Sequence, residues 1–229
     1  MFCKVYQIFQ NNFYSFIYCG IITNNIPIIG GYSMIVHDIT REITSAQVYE
    51  GDPVTDFQWV SRIDCGDDYN LSKIKFCNHA GTHIDTPNHF YDDGNTITDY
   101  PISRFYGDCT VVTAKNVLTG EDMERILPFC CKKILFKGTE EGVLTLSAVY
   151  VMSDYGIELV GTENMSIGFE PEEYRVHREL ALNDVLVIEN LDLSAIADGS
   201  YILAALPLKI ESAEAAPARV ILLEQEMGL

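Results

Sequence analysis

The chain has 229 residues, 48% of them hydrophobic, and sets 33 Asp and Glu against 15 Lys and Arg, a formal net charge of −18. That length and apolar content suffice for one domain with a sizeable core. The acid excess speaks against nucleic acid and anionic membrane surfaces as partners, because binding either calls for a basic patch, and the acidity itself is read as solubility.

Residues 1–33 differ in character from the rest of the chain. They carry a single charge, Lys4, among many aromatic and β-branched residues. Asn11, Asn12, Asn24 and Asn25 interrupt the apolar run, and no small-residue cleavage site comes after it, so neither a signal peptide nor a spanning helix is expected. Residues 1–33 are read as an appendage and 34–229 as the domain. "MIVHDIT" alternates and predicts a first strand, "EGDPV" a turn, and "LSKIKFCN" a strand running into "HAGTHIDTPNHF". "DCTVVTA" is a further β run. Thr119 with Asp122 three residues on forms a capping pair that opens a helix over "GEDMERIL", which Pro128 ends. "CKKILFKG" reads as a buried strand. Thr145 caps a helix over "LSAVYVMSDY", with Gly156 at its stop. "IELVGTE" is a strand, and Pro171 with Glu172 and Glu173 starts a helix over "PEEYRVHRELAL". "VLVIEN", "YILAALPLKI" and "ARVILLE" close the chain as three β runs. Strands and helices intermix, which predicts an α/β fold with a mixed sheet.

Seven cysteines (Cys3, Cys19, Cys65, Cys77, Cys109, Cys130 and Cys131) form an odd set without a CxxC pair. A disulfide framework or zinc ribbon is not expected. Reduced, mostly buried thiols in a cytoplasm are.

Three of the five histidines fall within the twelve residues His79 to Phe90. Gly81, Thr82 and Pro87 oppose a helix there, and Pro87 pushes Thr86 toward extended backbone. Alternate residues of extended chain share a face, so His83 and Asp85 point the same way. Gly81 gives the chain the freedom to fold back and bring His79 near. Two imidazoles and a carboxylate make a ligand set for zinc, or for manganese if oxygen dominates. Far along the chain, Val185, Val187 and Glu189 share one face of an otherwise apolar strand, and a carboxylate there is costly unless paired or metal-bound. His177 lies twelve residues earlier on a predicted helix. Taken singly, Glu189 also reads as an exposed strand end and His177 as a surface helix residue.

"HAGTHIDTPNHF" resembles the HxGTHxDxPxHF signature of the cyclase family of metal-dependent hydrolases, which includes bacterial kynurenine formamidase and isatin hydrolase. "DITREI…VYEGDP", "DDGNTITDYPISRFYGDCTVV" and "VHRELALNDVLVIENLDLSAIADGSYILAALPLKI" look like other parts of that family, so the resemblance covers residues 34–229. It implies a swivelling β/β/α cyclase-like fold with a mixed sheet, usually a homodimer or higher homo-oligomer. It also implies a site of one or two ions, Zn2+ with Mn2+ as the other possibility. His79, His83 and Asp85 would hold the first ion. Asp85 would bridge to a second held by His177 and Glu189, and His89 would be the acid/base. The activity implied is hydrolysis, by metal-activated water, of a small aryl formamide such as N-formylkynurenine. The alternatives are another cyclic amide or lactone of the isatin hydrolase kind, or a silent metal-binding relative.

Some positions depart from that pattern. Kynurenine formamidases commonly have Trp-Pro-Gly-Asp where this chain has Tyr49-Glu50-Gly51-Asp52; Ala80 and Ile84 differ within the motif; and "AEAAPAR" replaces a Ser-rich version. None is an expected ligand. Tyr49 alters the aromatic pocket, for which Phe57, Phe90 and Tyr91 are further candidates. Thr82 is assigned to turn chemistry and His37 to structure.

Overall fold

The computed structural model of the chain describes residues 25–27, 33–138 and 142–225. Most of the 1–33 segment therefore lies outside the described residues. Of it the structure describes β1 (Asn25–Pro27), which pairs antiparallel with β2 (Ser33–Asp38), and Ser33, which opens β2. Next comes a two-stranded hairpin, β3 (Asp56–Ser61) with β4 (Leu71–Lys75). After it come β5 (His83–Asp85), β6 (Tyr106–Thr113), α1 (Gly120–Ile126), β7 (Lys133–Lys137), α2 (Leu146–Asp154), β8 (Leu159–Thr162), α3 (Glu173–Leu182), β9 (Leu186–Glu189), β10 (Gly199–Pro207) and β11 (Ala215–Gln225). No helix among the described residues is long and apolar enough to cross a membrane.

Seven strands close on themselves in the order β5-β11-β10-β6-β7-β8-β9, with β9 returning to β5. The pairs β6–β7, β7–β8 and β8–β9 are parallel and the rest antiparallel, so the mixed sheet expected from the sequence is present, rolled into a barrel. Each parallel strand is followed or preceded by a helix, as parallel connections require. Strand alternation then separates two cores. Leu135, Leu159, Leu186 and Ile188 point into the barrel with Ile84, Val111, Leu203 and Val220. Ile134, Phe136, Val160 and Val187 point outward, under Met123 of α1, Met152 of α2, and Val176 and Leu180 of α3.

The helix ends follow their sequence signals. Thr119 and Asp122 form the expected reciprocal box, and the Thr145 side chain accepts from the Ala148 N–H. The last helix begins at Glu173, two residues after Pro171, because Glu170–Glu172 form a 3-10 turn ahead of it.

The hairpin departs from expectation. β4 pairs with β3, a strand not expected from the sequence, and every residue of both strands is at least partly exposed. Phe57, Trp59 and Ile74 stay open to solvent, with Phe57 edge-on to Trp59 at 5.4 Å. The thiols also differ from expectation: of the five described cysteines, all unpaired, Cys109 is buried while Cys65 is exposed.

Leu135, fully buried inside the barrel, is a measure of how closely that interior is packed. Leu135→Ala is expected to lower stability by about 2–5 kcal/mol, read as a fall in the urea midpoint at constant m-value.

Candidate metal centre

The site lies on the outer wall of the barrel where β5 joins β9. His83 stands opposite Glu189 and Asp85 opposite Val187. Strand alternation sends Ile84 and Ile188 into the core and leaves His83, Asp85 and Glu189 on the other face. α3 packs over this face and brings His177, the one polar group among its buried residues. His83, Asp85, His177 and Glu189 are only 2–6% exposed.

Gly81 turns the loop at φ +64°, and a Cβ there would meet the Ile43 Cα at 3.0 Å and the Arg41 carbonyl at 3.1 Å. That tight return folds His79 back, so that its ring centre lies 5.0 Å from that of His83. Thr82 does more than turn. Its hydroxyl donates to the Asn190 carbonyl, next to Glu189, and accepts the Arg41 N–H at 2.8 Å. It therefore pins the histidine loop to the end of β9, where Asn190 takes the left-handed conformation (φ +58°) that Asn tolerates.

The donor atoms converge. His79 Nδ1 lies 3.0 Å from Asp85 Oδ1, and His83 Nε2 lies 3.4 Å from the same oxygen. His83 Nε2 is 3.6 Å from Glu189 Oε2, and His177 Nε2 is 3.5 Å from Glu189 Oε1. Yet His83 Nε2, Asp85 Oδ1 and His177 Nδ1 are buried without a hydrogen bond. Buried polar atoms seldom go unsatisfied. Donors about 2.0–2.1 Å from a tetrahedral zinc stand about 3.3–3.4 Å apart, close to the spacing found here. The residues present fit a divalent metal cofactor.

Electrostatics point the same way. Burial pushes Glu189 well above the usual carboxylate range, and the nearby Asp85 charge adds to it. Burial would raise Asp85 too, but the His83 and His79 rings outweigh it and hold Asp85 low. Burial lowers His83 and His177, which favours the neutral imidazole a metal requires. At His79 burial also acts to lower the pKa, but Asp85 outweighs it and the net shift is upward. Two carboxylates this close in a buried site repel each other unless a cation lies between them.

His89 stands at the mouth, its ring 4.3 Å from that of His79 and its pKa lowered by burial of its inner face. It also lies close enough to His79 and Asp85 to join a metal-holding group with them. The structure thus brings all six residues singled out in the sequence to one cavity of about 570 Å³. Among the candidate aromatics, Phe90 stacks on His177 at 5.2 Å and lines the cavity, as does Tyr49. Tyr91 turns to Arg178, and Phe57 lies in the exposed hairpin. His37 is remote and bonded to Glu224 at 2.8 Å, a structural role.

Sequence reasoning missed several contributors. The Ile167 N–H donates to Glu189 Oε1 at 2.9 Å, and Ser166 Oγ lies 3.0 Å from His177 Nε2. Nothing in "ENMSIGF" signals this. Glu172 and Glu173, read only as helix-start acids, also line the cavity mouth with Glu50, Asp52 and Glu170, and Glu173 accepts the Tyr49 hydroxyl at 2.9 Å.

Comparison with known proteins gives consistent matches. The Cyclase family model matches residues 35–168. Kynurenine formamidase of Salinibacter ruber is 28% identical over 82% of this chain and 97% of its own. That of Paracidovorax citrulli is 31% identical over 81% of this chain and 94% of its own. A solved structure described as a potential metal-dependent hydrolase with cyclase activity superposes with a TM-score of 0.70 at 28% identity, covering 85% of this chain and all of the other.

Because both Thr82 contacts are buried or half-buried, Thr82→Val is expected to leave the Arg41 N–H and the Asn190 carbonyl unpaired. A loss of about 1–3 kcal/mol in chemical denaturation is the expected outcome. Unchanged stability would show that the pin between the loop and β9 contributes little.

Proposed function

The chain belongs to the cyclase family of metal-dependent hydrolases, and from that premise we propose that it cleaves the amide of a small aryl formamide such as N-formylkynurenine, releasing formate and an aryl amine. The observation that carries the proposal is the convergence of His79 Nδ1, His83 Nε2 and both buried carboxylates on one solvent-reached cavity.

In this reading His79, His83 and Asp85 would hold one ion, and Asp85, His177 and Glu189 would hold a second. Zn2+ suits the mixed N/O donors, with Mn2+ as the other candidate. What a bound divalent ion supplies is an activated water and a Lewis acid for the carbonyl oxygen. The chain does the rest. The Gly81 carbonyl lies 2.9 Å from His83 Nδ1 and fixes that ring with Nε2 toward the cavity. The Ile167 N–H holds Glu189 by one oxygen. Phe90 and Tyr49 give an aryl ring apolar surface beside these polar groups. His89, at the mouth, is placed to give a proton to the departing amine nitrogen, and burial lowers its pKa below the ordinary histidine value.

The mouth favours a formamide carrying an amino group over a neutral cyclic amide or lactone. Glu50, Asp52, Glu170, Glu172 and Glu173 line it, and among the described lining residues Arg175 alone of the Lys and Arg side chains stands against them. Such a rim attracts an ammonium and offers a single site for a carboxylate, the pairing an amino-acid side arm presents. A silent metal-binding relative would need His89 only as a ligand, a role its approach to His79 and Asp85 allows.

We take residues 34–229 as the hydrolase domain and 1–33 as an appendage to it. The reading includes a cytoplasmic protein, in keeping with five unpaired cysteines among the described residues. It also includes a homodimer. An isolated two-stranded hairpin is marginal in water, and β3–β4 exposes Phe57, Trp59 and Ile74 together. A second copy of the chain is the proposed cover.

Three measurements test these statements. Chelation is expected to abolish N-formylkynurenine cleavage and added zinc or manganese to restore it; activity in fully metal-free protein would refute the mechanism. His89→Ala is expected to keep its metal and lose about 10²–10⁴-fold in kcat, whereas loss of metal would make His89 a ligand. Light scattering is expected to give at least twice the 25.7 kDa chain mass, with Trp59→Lys shifting it toward monomer.

A further inference from the structure

We infer that Glu214 is a positioning residue for the metal centre, holding the outer nitrogen of His79 so that its inner nitrogen faces the ion. The inference rests on the proposed role of His79 as a ligand.

His79 has two ring nitrogens with different surroundings. Nδ1 faces Asp85 Oδ1 at 3.0 Å, inside the donor cluster. Nε2 points away from it and lies 3.4 Å from Glu214 Oε1. An imidazole that binds a metal through one nitrogen carries its proton on the other. A carboxylate at that second nitrogen fixes the tautomer, orients the ring and strengthens it as a donor.

Glu214 is itself held in place. Asn78, the residue before His79, directs its amide nitrogen at both Glu214 oxygens, at 3.3 and 3.2 Å. The Glu214 backbone carbonyl accepts the Thr86 N–H at 3.0 Å and the Thr86 hydroxyl at 2.8 Å. The next residue, Ala215, pairs with Asp85 across β11 and β5. One residue therefore grips both flanks of the ligand segment, Asn78–His79 by its side chain and Thr86 by its backbone. A surface acid needs no such registration.

His83 shows the same construction with a neutral partner, its Nδ1 meeting the Gly81 carbonyl. His177 does not: its Nε2 faces both Glu189 Oε1 and Ser166 Oγ, and its Nδ1 has no hydrogen bond. Of the three rings, His79 alone sets one nitrogen on the cluster and the other on a separate carboxylate. It is also the most exposed of the three rings, with 14% of its side chain open, so it has the least packing to hold it.

The test uses the full-length protein. Zinc affinity is measured by competition with a chelating dye, and the visible spectrum is recorded with cobalt(II) in place of zinc. Glu214→Gln keeps the size of the side chain and leaves the backbone grip on Thr86 intact. It is expected to bind zinc about 10–100-fold more weakly, to shift the cobalt bands, and to leave the Tm of the metal-free protein unchanged. Glu214→Asp is expected to fall between Gln and the wild type. Equal zinc affinity and an unchanged cobalt spectrum in Glu214→Gln overturn the inference while the metal site stands. Weaker binding with a lower metal-free Tm and unaltered cobalt bands makes Glu214 a structural residue only and also overturns it. A wild-type chain that takes up no zinc removes the metal reading itself.

Discussion

Three residues, His83–Asp85, complete the barrel by pairing with β9 on one side and β11 on the other. Their middle member, Ile84, is wholly buried in the interior. Its neighbours are therefore forced onto the outer face, beside Glu189. The hydrophobic demand of one isoleucine thus fixes the direction of an imidazole and a carboxylate at once. A slip of one residue in this pairing would place His83 and Asp85 in an apolar core and Ile84 in the cavity. Burial of the barrel interior, a non-directional force, is what makes the donor geometry directional.

The second constraint is the cover. α3 lies over the outer face and buries Val176 and Leu180 against Val187 and its neighbours. His177 rides on the same helix face, so packing that stabilises the helix also delivers the ligand candidate. The cavity is then bounded by an apolar layer on one side and an acidic rim on the other. Charges inside it are poorly screened, and a cation there is worth more than it would be at the surface.

Much of this was legible in the sequence, for local reasons. The caps at Thr119 and Thr145 depend on residues three apart and the start near Pro171 on adjacent ones; the first two helices form where these signals place them, and the third starts just past its signal. The extended backbone at His83–Asp85 came from Pro87 and Thr86, and the shared face of Val187 and Glu189 from strand period. What was not legible depends on chain far away. The β3 segment alternates only over Asp56–Trp59, and neither of its faces is buried within the chain to mark it as a core strand. Ser166 and the Ile167 N–H reach the site through backbone placement, which leaves no mark in residue type. Thr82 looked like a turn residue, because its partner Asn190 is 108 positions on. The convergence of six side chains came from the family signature, since spacing alone left His177 and Glu189 open to ordinary explanations.

The closing strand has a further consequence for how the molecule comes into being. β5 cannot be paired until both β9 and β11, each about a hundred residues or more downstream, are in hand. Contacts of such long sequence separation are slow to form. The reactive pocket is accordingly among the last things a nascent chain acquires. Any polypeptide halted short of Ala215 lacks one of the two flanks that hold His83 and Asp85 in line, however complete its helices. Catalytic competence is thereby a late checkpoint on synthesis of almost the whole chain.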